Sequence, residues 1–169
     1  MLGDGPWKRV RCPGTRQRGA TVVELLTVIV LLVILAAIAI PNMSPVVLRY
    51  RLRGAAWQLA GDLRLARQRA VTVQKRFRVC LTNCAITVPA GSYSLERDDG
   101  TPLSPQWLSE TGATVRLPQD VTISTTATAT FNASGMAGGG TFTVTNLMGT
   151  YQVVVGSTGR VRVCQGSCS

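Results

Sequence analysis

Twenty-one consecutive residues, Ala20 to Ile40, read ATVVELLTVIVLLVILAAIAI and carry a single charge, at Glu24. As a helix, such a run reaches across a hydrocarbon core of roughly 30 Å. The rest of the 169-residue chain has ordinary soluble composition, so one modest domain with an apolar segment is expected. A carboxylate inside a bilayer is costly, on the order of +2.5 to +3.5 kcal/mol at its centre. Glu24 must therefore lie at the interface of a plain anchor or have a partner.

The charge around this run is uneven. Residues 1–19 hold Lys8, Arg9, Arg11, Arg16 and Arg18 against Asp4, a net +4. Residues 49–78 carry nine basic residues against Asp62, a net +8, and residues 79–169 are near neutral. The overall +10 thus describes a leader and one later segment rather than a uniformly basic domain. The positive-inside rule modestly favours the leader on the cytoplasmic side, because Arg49, Arg51 and Arg53 follow the run closely.

No histidine occurs, which excludes Ser-His-Asp and Cys-His catalysis and argues against a transition-metal site. Cys12 lies in the leader, and the other four cysteines form two C-x-x-x-C pairs, Cys80/Cys84 and Cys164/Cys168. An even count in an exported chain reads as disulfides, which places residues 42–169 outside. Zinc is the competing reading, although its pairs usually use C-x-x-C or include histidine. Local bridges would pin a hairpin and the C-terminal tail, while crosswise pairing stays open.

Between Ser44 and Lys75, apolar residues recur at Leu48, Leu52, Ala55, Leu59, Leu63, Ala66 and Ala70, a helical stripe. Arg49, Arg53, Arg64 and Arg67 line one flank and Arg51 and Arg69 the other. Those flanks are solvated edges, or else a surface for phosphate or an acidic neighbour. Beyond Lys75 the pattern changes to short strands, predicted at 77–81, 92–96, 114–117, 121–124, 129–132, 141–145, 151–155 and 161–164. Separated by turn residues, they argue for an antiparallel β-sandwich and an α+β chain. Gly138 to Gly140 lacks a following Lys-Ser/Thr and is read as a turn, not a phosphate loop. Asp98-Asp99-Gly100 is likewise read as a turn, with too few neighbouring oxygens for calcium.

In a strand, Arg160 and Arg162 point to one side and Val161 and Val163 to the other. Two guanidiniums roughly 7 Å apart suit successive phosphates of a nucleic acid. Plain alternation of a solvent face with a core face predicts the same pattern.

Three sets of residues together resemble a known family. Gly19 followed by Ala20, Thr21 and Glu24 resembles the prepilin cleavage motif of type IV pilins and pseudopilins. Pro41 stands where many pilins carry a helix-kinking proline, and Ala20 stands where the family usually carries Phe. The helix phrase Leu59–Val71, with Arg67 and Ala70 in an ARxxA pattern, and the Gly159-Arg160-Val161-Arg162 ending beside Cys164 are similar to the GspH/FimT branch of pseudopilins and minor pilins. The resemblance implies a pilin-like fold: a leader (1–19), the transmembrane and assembly half of a long N-terminal helix (20–40), its amphipathic half (41–75), and an exported β-rich domain (76–169).

It further implies cleavage by a prepilin peptidase between Gly19 and Ala20, and methylation of Ala20. Glu24 would pair with the terminal ammonium of a neighbouring subunit, leaving the chain a single-pass inner-membrane protein with a periplasmic domain. The functions implied are those of a non-enzymatic minor pilin that starts or caps a type IV pilus. It would bind double-stranded DNA for uptake through Arg160 and Arg162, with help from Arg64 and Arg67. The alternative is a GspH-like pseudopilin of a type II secretion system. Partners are other pilins through the N-terminal helix, the peptidase and the inner membrane, with no cofactor and no metal.

Overall fold

The structure, a computed structural model, describes residues 21–39, 43–101 and 103–168. Gly19, Ala20 and Pro41 lie outside the described residues. The chain forms two units, residues 1–42 and residues 43–169, each treated by itself.

In the first unit, helix α1 spans Val22–Ala39. The Thr21 hydroxyl accepts the Glu24 N–H at 3.3 Å, satisfying one of the donors left open at a helix start. This gives Thr21 a local role as the cap of α1, through the backbone N–H of Glu24 and not its carboxylate. Among the described residues no helix is long and apolar enough to cross a membrane. The 18 residues of α1 reach about 27 Å, and both ends of the expected span, Ala20 and Ile40, lie outside the described residues. Every large aliphatic side chain from Val22 to Ile38 is exposed in this unit. A helix that is apolar all round needs a non-aqueous or protein surround.

The second unit opens with α2, Ser44–Val73. Pro45 sits in the first turn, where its missing N–H costs nothing. Gln74, in the left-handed region, ends the helix. The buried stripe is Leu52, Ala55, Ala56, Leu59, Ala60, Leu63, Ala66 and Ala70. It matches the predicted one with Ala56 and Ala60 added, while Leu48 is only half-buried. Five alanines bring the helix axis close to the strands beneath it.

Among the described residues nine strands follow: β1 Phe77–Cys80, β2 Ser92–Asp98, β3 Trp107–Ser109, β4 Val115–Arg116, β5 Thr122–Thr125, β6 Thr130–Phe131, β7 Gly140–Asn146, β8 Gly149–Val155 and β9 Val161–Gln165. All pairings between them are antiparallel. One sheet runs β3-β2-β1-β6, with β4 also on β2, and the other runs β5-β7-β8-β9. The helical stripe shares one apolar core with Phe77, Val79, Tyr93 and Phe131 of the first sheet and Phe142, Val144, Val153 and Val155 of the second. The buried core lies entirely within residues 52–155, so residues 43–168 enclose a core of their own.

Candidate nucleic-acid interface

The described residues of the second unit hold few acidic side chains, and all of them are engaged. Asp120 pairs with Arg51 at 3.1 Å, and Glu110 with Arg69 at 3.0 Å and Arg97 at 3.4 Å. Asp99 pairs with Lys75 and Arg97, Asp98 with Arg76, and Glu96 with Arg78. Asp62 accepts the Tyr93 hydroxyl at 2.5 Å. Burial and this hydrogen bond raise the Tyr93 hydroxyl above its ordinary value, so it stays protonated.

Arg49, Arg53, Arg64, Arg67, Arg116, Arg160 and Arg162 have no carboxylate partner among the described residues. The two arginine flanks of α2 therefore differ physically. Arg51 and Arg69 are tied to the domain, whereas Arg49, Arg53, Arg64 and Arg67 keep uncompensated charge.

Arg160 and Arg162 stand at the turn from β8 into β9, an edge strand. The turn closes through Gly159 N–H to Gly156 O at 2.8 Å and Gly156 N–H to Arg160 O at 2.9 Å. Gly159 is buried with φ +74°, and a Cβ there would lie 2.0 Å from Gly135 O. Only glycine fits. Arg67 donates from Nε to the same Gly135 carbonyl at 3.0 Å, and Ala137 N–H donates to Ser157 O at 3.0 Å. Helix α2, the 132–138 turn and the β8–β9 turn thus meet at one point.

Val161 and Val163 pack against the core, while Arg160 and Arg162 are exposed and line a shared cleft of about 260 Å³ with Ser157 and Thr158. Arg160 lies just before β9 rather than within it, yet the two guanidiniums still share that cleft. Arg67 is brought against Gly159. Arg64 instead lies over Trp57 on its own helix, 6.0 Å from the ring centroid. Ser157 and Thr158 were not among the residues expected here, although they adjoin the Gly-Arg motif and add two hydroxyl donors to the cleft.

Cys80 bonds Cys84 and Cys164 bonds Cys168, so the pairing is local. The first pair lies beside Glu96, close enough for three ligand atoms to fall within 4.8 Å of one another, but both sulfurs are committed to the disulfide. Burial by itself would raise the Asp98 carboxyl, but N–H donation from Gly100 and Gln106 and the Arg76 guanidinium outweigh it and leave it lowered. Hydrogen bonds from Arg97 and Lys75 bring Asp99 down to about 2. Both acids of this turn are spent on cations and backbone N–H groups.

Among solved structures, the minor pseudopilin EpsH of the Vibrio cholerae type 2 secretion system matches with a TM-score of 0.55 at 13% identity, over 72% of this chain and 99% of that one. Escherichia coli GspH matches at 0.54 with 12% identity, over 69% and 89%. The Pseudomonas aeruginosa type IV minor pilin FimU gives 0.49 and 18%, over 68% and 89%. No curated protein matches the sequence. The first two likenesses establish a pilin-type fold. The family model described as "Type II transport protein GspH" matches residues 55–159, more than half of the chain. The chain belongs to the GspH family.

Proposed function

We propose that this protein is a non-enzymatic minor pilin of a type IV pilus, cut after Gly19 by a prepilin peptidase and held in the inner membrane by residues 20–40. It helps start or cap the filament and binds double-stranded DNA at the β8–β9 turn. The observation that carries this reading is the pair Arg160 and Arg162 lining one cleft beside Arg67, with no carboxylate partner for any of the three among the described residues. Uncompensated guanidiniums on an exposed edge strand offer phosphate contacts without base readout. The resemblance of the Gly159–Arg162 ending to DNA-binding minor pilins supports the same reading. Glu24 would serve assembly by pairing with the new terminal ammonium of a neighbour, since either charge left alone in an apolar bundle costs several kcal/mol.

The reading predicts salt-dependent, sequence-independent binding by fragment 43–169. Replacing Arg160 and Arg162 by alanine should weaken binding and flatten the slope of log K against log salt by about 1.8, for two lost phosphate contacts. Unchanged affinity would remove DNA from the account. The second reading, a GspH-like pseudopilin of a type II secretion system, is favoured by the description of the family model. Restoration of secretion, but not of piliation, in a host lacking its own minor pseudopilin would select it.

A further inference from the structure

A second cationic cleft lies at the other end of the β8–β9 hairpin. It measures about 690 Å³ and is lined by Arg49, Tyr50 and Arg53 of α2, Met148 and Tyr151 of the β7–β8 hairpin, and Gln165 of β9. Among the described residues no carboxylate lines it, and neither arginine has one as a partner. Residues 49 and 53 are four apart, so their side chains stand one above the other on one face of the helix.

Beside the cleft, the β7–β8 turn presents Leu147 at 87% exposure. That turn is held in place: Asn146 Nδ2 donates to the Leu48 carbonyl at 2.9 Å, and Met148 N–H donates to Asn146 Oδ1 at 2.8 Å. Val46, Val47 and Tyr50 are exposed on the adjoining turn of α2. A fixed apolar tip, two tyrosines and a pair of free guanidiniums together make the chemistry of a membrane interface. Aliphatic side chains enter the acyl boundary, tyrosines sit at headgroup depth and cations meet phosphate.

We infer that this face docks on the headgroups of an anionic phospholipid bilayer. It would dip Leu147 and Met148 into the surface and receive a phosphodiester between Arg49 and Arg53. The choice of a bilayer as occupant rests on the proposed membrane span, residues 20–40, which in sequence ends nine residues before Arg49. Docking there would hold the domain against the membrane before the subunit enters a filament.

Fragment 43–169, which lacks the span, tests this by sedimentation with vesicles of phosphatidylcholine alone or containing phosphatidylglycerol. Binding is expected only to the anionic vesicles. Arg49→Ala with Arg53→Ala should weaken it about 30-fold, at about fivefold per basic residue near the surface, and Leu147→Ser by about tenfold. Arg160→Ala with Arg162→Ala should leave it unchanged, and glycerol phosphate in solution should not compete at millimolar concentration.

Equal binding to neutral vesicles, insensitivity to Arg49 and Arg53 or to Leu147, loss of binding in the Arg160/Arg162 variant, or competition by glycerol phosphate would each overturn the inference. Failure of the span itself would appear separately, as full-length chain released from membranes by an alkaline wash.

Discussion

Removing Glu96 tests the energetics of the first sheet most severely. Its side chain is fully buried. Oε2 accepts Arg78 Nε at 2.8 Å and pairs with Arg78 NH2 at 2.7 Å, and Oε1 accepts the Ala85 N–H at 2.6 Å and the Ser94 hydroxyl at 3.3 Å. The Arg78 guanidinium, 16% exposed as a side chain, sits 4.0 Å from the centroid of Trp107. Glu96→Ala strips this cation of its carboxylate and leaves the Ala85 N–H without its acceptor. Breaking a buried pair from one side costs about 3–5 kcal/mol, against a whole-domain stability of about 5–15 kcal/mol. Glu96→Gln keeps the shape and one acceptor, and should cost about 1–3 kcal/mol. Arg78→Met with Glu96→Leu removes both charges at similar volume and should be more stable than Glu96→Ala alone. Urea unfolding of fragment 43–169 with its disulfides intact measures all three. A Glu96→Ala variant within about 1 kcal/mol of the parent, or a double variant less stable than that single one, would refute the reasoning.

Gly159→Ala should destabilise the fragment by about 2–4 kcal/mol, from positive φ plus a backbone clash, and should weaken DNA binding by displacing the arginine turn. Gly112→Ala, with φ +64° but nothing within 4 Å of the new Cβ, should cost only about 1 kcal/mol; equal losses at the two sites would discount the close approach at Gly159. Acid should act through Asp98 and Asp99, whose folded values are depressed. Their stabilisation is fully present above the unfolded value of 3.8 and is lost as pH falls towards about 2. Tm should therefore fall in that window, and by less in Asp99→Asn; a decline beginning near pH 6 would point to other groups.

The elements that carry strong periodicity were legible in the sequence. From Leu52 to Ala70 every position of the expected α2 stripe is buried, and all eight expected strands exist, within a residue or two at most ends. β3 was not expected. Pro105 and the turn at Asp98–Gly100 make Thr101–Ser109 read as loop, and three residues are too few to show alternation. The polar face of β2 was also missed. Ser92, Ser94, Glu96 and Asp98 alternate with Tyr93, Leu95 and Arg97, which reads as a solvated face, yet all four are buried. A signal was present, because Arg76 and Arg78 have the same spacing as Glu96 and Asp98, and the antiparallel register sets Arg78 opposite Glu96. Local disulfide pairing could not be separated from crosswise pairing by spacing alone, since the choice depends on which strands lie side by side. The sharing of one cleft by Arg160 and Arg162 followed from two-residue periodicity. The meeting of Arg67 with Gly159 required the 132–138 turn, which links residues too far apart in sequence for spacing to reveal.

The account rests most on the junction between Gly19 and Ala20, from which processing, membrane retention and assembly through Glu24 all follow. Intact-mass analysis and N-terminal sequencing of the full-length chain, expressed with and without a prepilin peptidase, test it directly. The account predicts loss of residues 1–19 only when the peptidase is present, leaving a chain that starts at Ala20 and remains in the membrane fraction. An intact N-terminus in its presence, or a cut beyond Ile40, would contradict it.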